Sequence, residues 1–215
     1  MIDCQQGTPE WLMVRSGIPT ASMFDKILTP KRLELSAQSV DYMNALLAER
    51  IMGHPVQEHV TFWIERGSML ESKAVKNYEF QRDMDTEEVG FCSNDDGTIG
   101  ASPDRLVGAD GLLEIKCPSE AIHVGYLRGD QGAYEKYRLQ CQGQLWITGR
   151  EWVDIMSYHP DMPDALFRIP RDEEIIAKID AAVTLFSAAL EQQSALWIAE
   201  GIIKEWPLKE LEVYQ

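Results

Sequence analysis

Apolar residues recur at helical spacing through most of the first 82 positions and again after residue 118, and the region between them consists of short alternating runs. The early pattern predicts four helices. They run from Thr8 to Gly17, from Thr20 to Pro30, from Ser36 or Ser39 to Gly53, and over residues 67–82. Threonine followed by proline is a typical helix start, and glycine is a typical helix end.

The central region predicts strands over residues 86–92, 97–107 and 111–117. Turn-forming sequences separate them, and the Asp110-Gly111 pair between apolar runs indicates a hairpin. The pattern after residue 118 predicts helices over 119–128 and 133–148, strands over 152–158 and 166–169, and a long amphipathic helix over 171–200. The apolar face of that last helix comprises Ile175, Ile179, Val183, Phe186 and Leu190.

These elements indicate one α/β domain over residues 1–215, in which helices flank a mixed central β-sheet and the segment from about 171 to 215 is helical and amphipathic. The 45% apolar content suffices for one sizeable core. Internal repeats and low-complexity linkers are absent from the sequence. The expected architecture is therefore a single folded unit.

The sequence favours a cytoplasmic protein. It contains no run of about 18 apolar residues and no secretory leader, so neither a membrane span nor export is expected. The four cysteines, Cys4, Cys92, Cys117 and Cys141, are scattered. They are expected to be reduced thiols rather than ligands of an iron–sulfur cluster. His54 and His59 flank a proline and are expected to be loop residues rather than metal ligands.

The formal net charge of −15 argues against a nucleic-acid partner, because surfaces that bind phosphates are usually basic. An acidic exterior with a local basic track remains compatible with DNA, since only the groove must attract the backbone. The net charge therefore neither establishes nor excludes DNA binding, and the sequence motifs are needed to decide.

The most informative segment reads Ser-Pro-Asp-Arg-Leu-Val-Gly-Ala-Asp-Gly-Leu-Leu-Glu-Ile-Lys-Cys-Pro over residues 102–118. Side chains alternate along a strand, so Glu114 and Lys116 share one face and Ile115 points to the other. The hairpin brings Asp104 beside them. Two carboxylates suit a hard divalent cation, and an adjacent ammonium can orient or deprotonate an attacking water. These groups are those that phosphodiester hydrolysis requires.

A Glu-x-Lys triplet alone is more often a solvated, self-neutralising face of a strand. The Pro-Asp before the hairpin and the Cys-Pro after the second strand favour the functional interpretation. Together they resemble the Pro-Asp…Glu-x-Lys pattern of the restriction-endonuclease-like nuclease superfamily. Over roughly residues 4–160 the chain is similar to one branch of it, the phage lambda exonuclease or YqaJ-type viral recombinase family.

The resemblance implies a metal site and its catalytic residues. The implied ligands are Asp104, Glu114, the backbone carbonyl of Ile115, and Glu71, which alone would be an ordinary helix glutamate. Lys116 would act on the attacking water, either as a point charge or as a general base. The implied cofactor is Mg²⁺, as two ions, with Mn²⁺ able to substitute.

The same resemblance covers the segment Tyr-Arg-Leu-Gln-Cys-Gln-Gly-Gln-Leu-Trp at residues 137–146. There Gln142 is the residue expected to support the active-site water and lysine, with a lesser role for Gln140. The alternative is that these glutamines are simply polar residues on a helix surface.

An end-binding site is also implied. Trp-Leu-Met-Val-Arg-Ser-Gly-Ile-Pro-Thr-Ala-Ser at residues 11–22 resembles the family's N-terminal motif, in which Arg15 and Ser22, joined by Ser102, would grip a 5′ phosphate. Read alone, Arg15 beside Trp11 suggests packing or a cation–π contact. Arg105 departs from the family pattern, which has glycine after the aspartate.

The implied activity is a 5′-to-3′ exonuclease that degrades one strand of linear double-stranded DNA to mononucleotides and leaves 3′ tails. The implied partners are a single-strand annealing protein and two further copies of the chain in a homotrimeric ring, in a phage or prophage setting within a bacterial host. An endonuclease of the restriction or repair type is one alternative. A non-catalytic DNA-binding protein is another, which the intact Asp104, Glu114 and Lys116 disfavour.

Overall fold

A five-stranded mixed sheet forms the centre of the computed structural model, which describes residues 1–56, 62–130, 132–204 and 206. The strands are β1 (Thr86–Glu87), β2 (Cys92–Ser93), β3 (Gly100–Ala101), β4 (Arg105–Val107), β5 (Gly111–Lys116), β6 (Trp152–Ser157) and β7 (Ala165–Pro170). The main sheet has the order β1-β4-β5-β6-β7, and β2 and β3 pair separately. Only the β5–β6 pair in that order is parallel.

Helices flank this sheet. They are α1 (Pro9–Arg15), α2 (Ser39–Met52), α3 (Phe62–Arg82), α4 (Glu120–Leu127), α5 (Gly132–Thr148) and α6 (Glu173–Ala199), with a 3₁₀-helix at Ala21–Lys26. The expected α/β domain with a mixed sheet between helices is therefore confirmed. Within the described residues, no helix is both long enough and apolar enough to cross a lipid bilayer.

Local rules explain two of the helix bounds. Thr8 caps α1 by accepting a hydrogen bond from the Trp11 N–H, and Gly53 ends α2 in the left-handed conformation with φ 73°. The helix expected from Thr20 to Pro30 is instead a 3₁₀-helix over Ala21–Lys26. Thr20 does not cap it, and its hydroxyl lies 3.4 Å from the guanidinium of Arg15 and 3.4 Å from the hydroxyl of Ser22.

Two expected strands are broken in the structure. The segment 86–92 divides between β1 and β2, which belong to different sheets. The segment 97–107 divides between β3 and β4. The interruption contains Pro103, which lacks a backbone N–H to continue a ladder, and this break frees Ser102 and Asp104 from the strand alternation.

The sheet is covered on both faces. The residues that pack against α3 on one side include Val107, Leu113, Ile115 and Met156. Those that pack with α5 on the other include Leu106, Leu112, Val153 and Ile155. Gly111 has no side chain because a Cβ there would lie 2.1 Å from the Trp152 ring. Strand β5 is thus enclosed on both sides, and so is the hairpin that carries the candidate site.

The predicted apolar face of the last helix is confirmed, since Ile175, Ile179, Val183, Phe186 and Leu190 are all buried. Near the C-terminus, Ile203 is buried and Trp197 packs against the core, whereas Ile202 is exposed. Three of the four apolar residues there, Trp206 among them, contact the chain's own core. They therefore give little support for a subunit contact. Residues 205 and 207–215 lie outside the described part of the chain.

The remaining expectations concern cysteines and histidines. None of the four cysteines is in a disulfide, and Cys117 alone among them is partly exposed. His54 is exposed, with its Nδ1 3.0 Å from the Pro55 carbonyl, as expected for a loop residue. His59 lies outside the described residues.

A buried arginine joins the first and last parts of the fold. The Arg50 side chain is 0% exposed, and its guanidinium donates to the Gly17 carbonyl at 2.7 Å, to Ser194 at 2.8 Å and to Glu191. The neighbouring Glu49 accepts the Gly17 N–H at 2.6 Å. Both backbone polar groups of Gly17 are therefore held by consecutive residues of α2, just after the end of α1.

We expect Arg50→Met to lower the free energy of unfolding by at least about 3 kcal/mol, the lower end of the range for breaking a buried ion pair. The substitution leaves the buried Gly17 and Ser194 acceptors without their donor. Lys31→Ala is the matched control, because the Lys31–Glu135 pair is 81% and 47% exposed and should contribute less than about 1 kcal/mol. Urea unfolding of both variants measures the difference, and equal losses would contradict the role assigned to Arg50.

Candidate active site

A cleft of about 160 Å³ opens where the N-terminal segment, the β4–β5 hairpin and α5 meet. Its lining combines a cationic end with an acidic end. The lining residues are Gln6, Trp11, Arg15, Thr20, Ser22, Ser102, Asp104, Glu114, Gln140 and Gln144. Residues that are up to 138 positions apart in the sequence thus line one cleft.

The acidic end is formed by the hairpin, as the sequence predicts. Asp104 accepts a hydrogen bond from the Ile115 N–H at 2.5 Å, which fixes its carboxylate against β5. Glu114 and Lys116 share a face of β5, and the Lys116 ammonium donates to Glu114 Oε1 at 2.5 Å. The Glu114 side chain is only 3% exposed. The two carboxylates and the ammonium therefore converge, but Glu114 is buried rather than solvated.

Two glutamines of α5 hold the Glu114 carboxylate from the other side. Gln140 Nε2 donates to Glu114 Oε1 at 2.7 Å, and Gln144 Nε2 donates to Oε2 at 2.7 Å. With Lys116, three donors therefore serve one carboxylate, which offsets the cost of burying its charge.

The structure places the side chain of Gln142, expected to support the active-site water and lysine, away from the acidic end. Its side chain donates to the Pro170 carbonyl at 2.9 Å and accepts from the Asp172 N–H at 3.0 Å. Two residues along a helix turn a side chain by about 200°, so Gln142 lies opposite Gln140 and Gln144. The i,i+4 spacing of the latter pair was the signal that could have identified Gln144 from the sequence.

The pKa values at the acidic end are raised by several causes. Burial raises the pKa of Asp104 well above its ordinary value, and the neighbouring Glu114 carboxylate adds to that shift. Burial alone would lower the pKa of Lys116, but Glu114 and Asp104 together outweigh it, so the Lys116 pKa is raised above its ordinary value. Lys116 is accordingly held as an ammonium in this state of the site.

Glu71 lies beside the acidic end in contact with Arg105. Its Oε1 is 3.8 Å from Arg105 Nη1, and the other arm of Arg105 lies 3.3 Å from Glu88. Burial raises the pKa of Glu71, whereas Arg105 lowers it and Glu114 raises it. Arg105, the departure from the family pattern, therefore interacts with the glutamate expected to complete the metal site.

Within the described ranges, no three acidic, histidine or cysteine side chains are grouped closely enough to hold an ion by themselves. The expected set of Asp104, Glu114 and Glu71 is thus not assembled as a closed cage. Asp104 and Glu114 still fit Mg²⁺, which is commonly held by one or two carboxylates together with substrate phosphates. Gln144, which lines the same cleft, also carries a buried Oε1 acceptor with no hydrogen-bond partner among the described residues.

The cationic end lies at the start of the 3₁₀-helix. Arg15 Nη2 is 3.4 Å from the hydroxyls of Thr20 and Ser22, and its guanidinium stacks over Trp11 at 4.2 Å. The Trp11 indole donates to the Ser102 hydroxyl at 2.9 Å. The three residues predicted to bind a phosphate, Arg15, Ser22 and Ser102, are therefore brought to one cleft.

The Arg15–Trp11 cation–π contact was one of the possibilities that the sequence suggested, but the Trp11–Ser102 hydrogen bond and the contacts of Gln6 were missed. Trp11 orients both Arg15 and Ser102, and Gln6 donates to the carbonyls of Val89 and Pro103 at 2.8 Å each. Gln6 thereby fixes the backbone that leads into Asp104. No local pattern in the sequence indicates such a contact across 97 positions.

Comparisons with known proteins agree with this geometry. A model of the YqaJ-like viral recombinase domain matches residues 10–151, about two thirds of the chain. The chain belongs to the YqaJ-like viral recombinase family. The matched range contains the cationic end, the hairpin and α5, and so every lining residue except Gln6. No curated protein matches the sequence significantly.

Solved structures resemble this YqaJ-like chain over a longer range than the family model matches. The alkaline exonuclease LHK-Exo from Laribacter hongkongensis is 33% identical, with a TM-score of 0.80 over 90% of this chain and 98% of the other. Its complex with dAMP matches at 34% identity, with the same TM-score and coverage. A phage-related exonuclease from Haemophilus somnus 129PT shares the fold at 16% identity, with a TM-score of 0.67 over 83% and 96% of the two chains. These findings support a deoxyribonuclease.

We expect Asp104→Asn to raise the melting temperature of this YqaJ-like protein in the presence of a chelator. Because the folded state raises the Asp104 pKa, ionisation of this group lowers stability as pH rises above the ordinary value of about 3.9. Asparagine removes that charge and keeps an acceptor for the Ile115 N–H. Thermal unfolding at pH 5 and pH 8 measures the effect, which should be larger at pH 8.

Asp25→Asn serves as the control, since Asp25 is exposed and lies outside the cleft. Added Mg²⁺ should raise the melting temperature of the wild type and of Asp25→Asn more than that of Asp104→Asn. A lower melting temperature of Asp104→Asn in chelator at pH 8 would contradict the electrostatic account.

Proposed function

We propose that the chain is a Mg²⁺-dependent exonuclease that degrades one strand of linear double-stranded DNA from its 5′ end, releases mononucleotides and leaves 3′ single-stranded tails. The observation that carries the proposal is the composition of the cleft. A cationic end with hydroxyl donors and an acidic end with a lysine line the same volume. A terminal phosphate and the first phosphodiester bond of a strand require those two ends side by side.

The cationic end suits a phosphate dianion. The guanidinium of Arg15 provides a planar set of donors, and Ser22 and Ser102 add hydroxyls that can donate to the remaining phosphate oxygens. Trp11 restricts the motion of Arg15 by stacking on it and orients Ser102 through its indole. This preorganisation lowers the entropic cost of binding a strand end.

The acidic end suits hydrolysis of the adjacent bond. Asp104 and Glu114 would hold Mg²⁺, with the Ile115 carbonyl and Glu71 as the other proposed ligands; the ion supplies charge for the phosphate oxygens and activates water when bound. The raised pKa of Lys116 favours its role as a positive charge next to the developing negative charge over that of a resting general base. Gln140 and Gln144 keep Glu114 in place.

The location of the arginine supports an exonuclease over the endonuclease alternative. An endonuclease acts on internal bonds and needs an open path for the strand on both sides of the scissile bond. Here Arg15, Thr20 and Ser22 line the same cleft as the acidic residues, where they can bind a terminal phosphate. The non-catalytic alternative is disfavoured because Asp104, Glu114 and Lys116 meet in one contact network.

The proposal also covers partners and surroundings. A nuclease that leaves 3′ tails needs a single-strand annealing protein to use them, and a homotrimeric ring around the duplex would explain processive degradation. Residues 1–215 would act as one nuclease domain, and the expected location is the cytoplasm of a bacterial host that carries the phage or prophage.

Labelled linear duplex, incubated with Mg²⁺ or with chelator, tests the function directly. We expect mononucleotides from the 5′ ends only with Mg²⁺, and loss of about 10²-fold or more in the single-turnover rate for Lys116→Ala, the scale for losing a group that acts on the reacting atoms. Lys136→Ala is the matched control, since Lys136 also lies over the Tyr137 ring, at 5.2 Å, but makes no contact with Glu114. Release from 3′ ends, or equal rates for both variants, would refute the proposal.

The effect of a 5′ phosphate on the rate of degradation should depend only on the cationic end of the cleft. A charge-assisted hydrogen bond contributes about 1.5–3 kcal/mol, so Arg15→Ala should slow degradation of 5′-phosphorylated duplex by roughly 10- to 150-fold. On duplex with 5′-hydroxyl ends the same change should have little effect.

Lys26→Ala controls for general loss of positive charge, because Lys26 follows Ser22 on the 3₁₀-helix and pairs with Gln38 outside the cleft. It should affect both substrates slightly and equally. If Arg15→Ala loses the same factor on both substrates, Arg15 binds the DNA backbone rather than the end, and the nuclease proposal survives without that assignment.

A further inference from the structure

The hydrogen bonds that Glu114 receives can be compared with the number of acceptor positions that a carboxylate has. A carboxylate offers about four lone-pair positions, two on each oxygen. Among the described residues, Oε1 accepts from Lys116 and from Gln140, and Oε2 accepts from Gln144 alone. Within that part of the chain, one acceptor position therefore remains, and it is on Oε2.

When Gln144 donates to Glu114, its own amide oxygen is left without a hydrogen bond in the described part of the chain. Gln144 is 1% exposed, and its Oε1 is a buried acceptor with no partner among the residues that the structure describes. Reversing the amide would place that oxygen against Glu114 Oε2 and lose the donor, so the carboxylate determines the orientation of the amide. Buried acceptors without partners are rare in folded proteins and are costly.

Gln142 provides a contrast on the same helix. It is equally buried, and both of its amide atoms are satisfied, one by Pro170 and one by Asp172. Gln142 joins α5 to the end of β7 and the start of α6 and thus serves the fold. Gln144 serves the orientation of a single carboxylate oxygen.

We propose that Gln144 is a positioning residue that fixes the Glu114 carboxylate so that Oε2 is the oxygen available to a divalent cation. The inference rests on the proposed metal-dependent function and deepens it. Lys116 and Gln140 fill Oε1, and Gln144 holds the plane of the carboxylate while leaving one position on Oε2. Gln144 acts on the cation through Glu114 and is therefore distinct from the ligands.

The test is calorimetric titration of Mg²⁺, and of Mn²⁺ as a second probe, into the full chain without DNA. Gln144→Met keeps the length of the side chain and removes the donor. We expect it to weaken cation binding by about 10- to 100-fold, the usual effect of losing a partner that orients a metal ligand. Gln142→Met is the matched control, and its cation affinity should equal that of the wild type.

Melting temperatures measured in chelator separate stability from affinity. Gln144→Met loses its donor to Glu114, and Gln142→Met breaks its hydrogen bonds to Pro170 and Asp172. Both variants should therefore melt below the wild type, but only Gln144→Met should also lose cation affinity. A purely structural role for Gln144 would give parallel losses in stability and no change in affinity. If Gln144→Met does not fold, Gln144→Asn, which keeps the amide but shortens its reach, should show the same loss of affinity.

The outcomes separate the inference from the function on which it rests. Wild-type affinity in Gln144→Met, together with loss of binding in Glu114→Gln, overturns the role of Gln144 and leaves the metal site intact. Wild-type affinity in Glu114→Gln overturns the metal site itself. Weak binding in both Gln144→Met and Glu114→Gln, with normal binding in Gln142→Met, supports the inference.

Discussion

The centre of the molecule depends on burying one carboxylate, that of Glu114, in the middle of an enclosed strand. Strand β5 packs between α3 and α5, so a charge on it must be compensated by neighbouring donors. Lys116 comes from the same strand, and two glutamines come from α5. The position of α5 against the sheet is therefore set by polar contacts as well as by apolar packing, and the site and the core share the same helix.

Sequence patterns predicted most of the helices and strands, and about half of the residues that line the cleft. The two successes have separate physical reasons. Helices and the hairpin follow from periodicity, caps and a turn, which are local properties. The Asp104, Glu114 and Lys116 group also follows locally, because strand alternation and one tight turn bring the three together. The broken strand at Pro103 was missed, although proline is a known interruption of ladders, because the apolar run on either side suggested one continuous strand.

The remaining site residues depend on tertiary contacts that no local pattern encodes. Gln6 and Trp11 reach residues more than 90 positions away. The choice among the three glutamines of α5 depends on the rotation of that helix about its axis, which packing decides. Family resemblance pointed to Gln142, and a rotation of half a turn separates that residue from the pair which contacts Glu114.

The contacts of Arg50 have a consequence for how the molecule is made. Its partners lie 33 positions before it and 141 and 144 positions after it. During synthesis, the segment between α1 and the 3₁₀-helix emerges first, yet Arg50 acquires Glu191 and Ser194 only when most of α6 has been translated. Closing so long a loop is slow and entropically costly. The contacts that hold Arg50 against Gly17, between Arg15 and Ser22, are therefore complete only after α6 has been translated, so this side of the cleft depends on one of the last helices to be made.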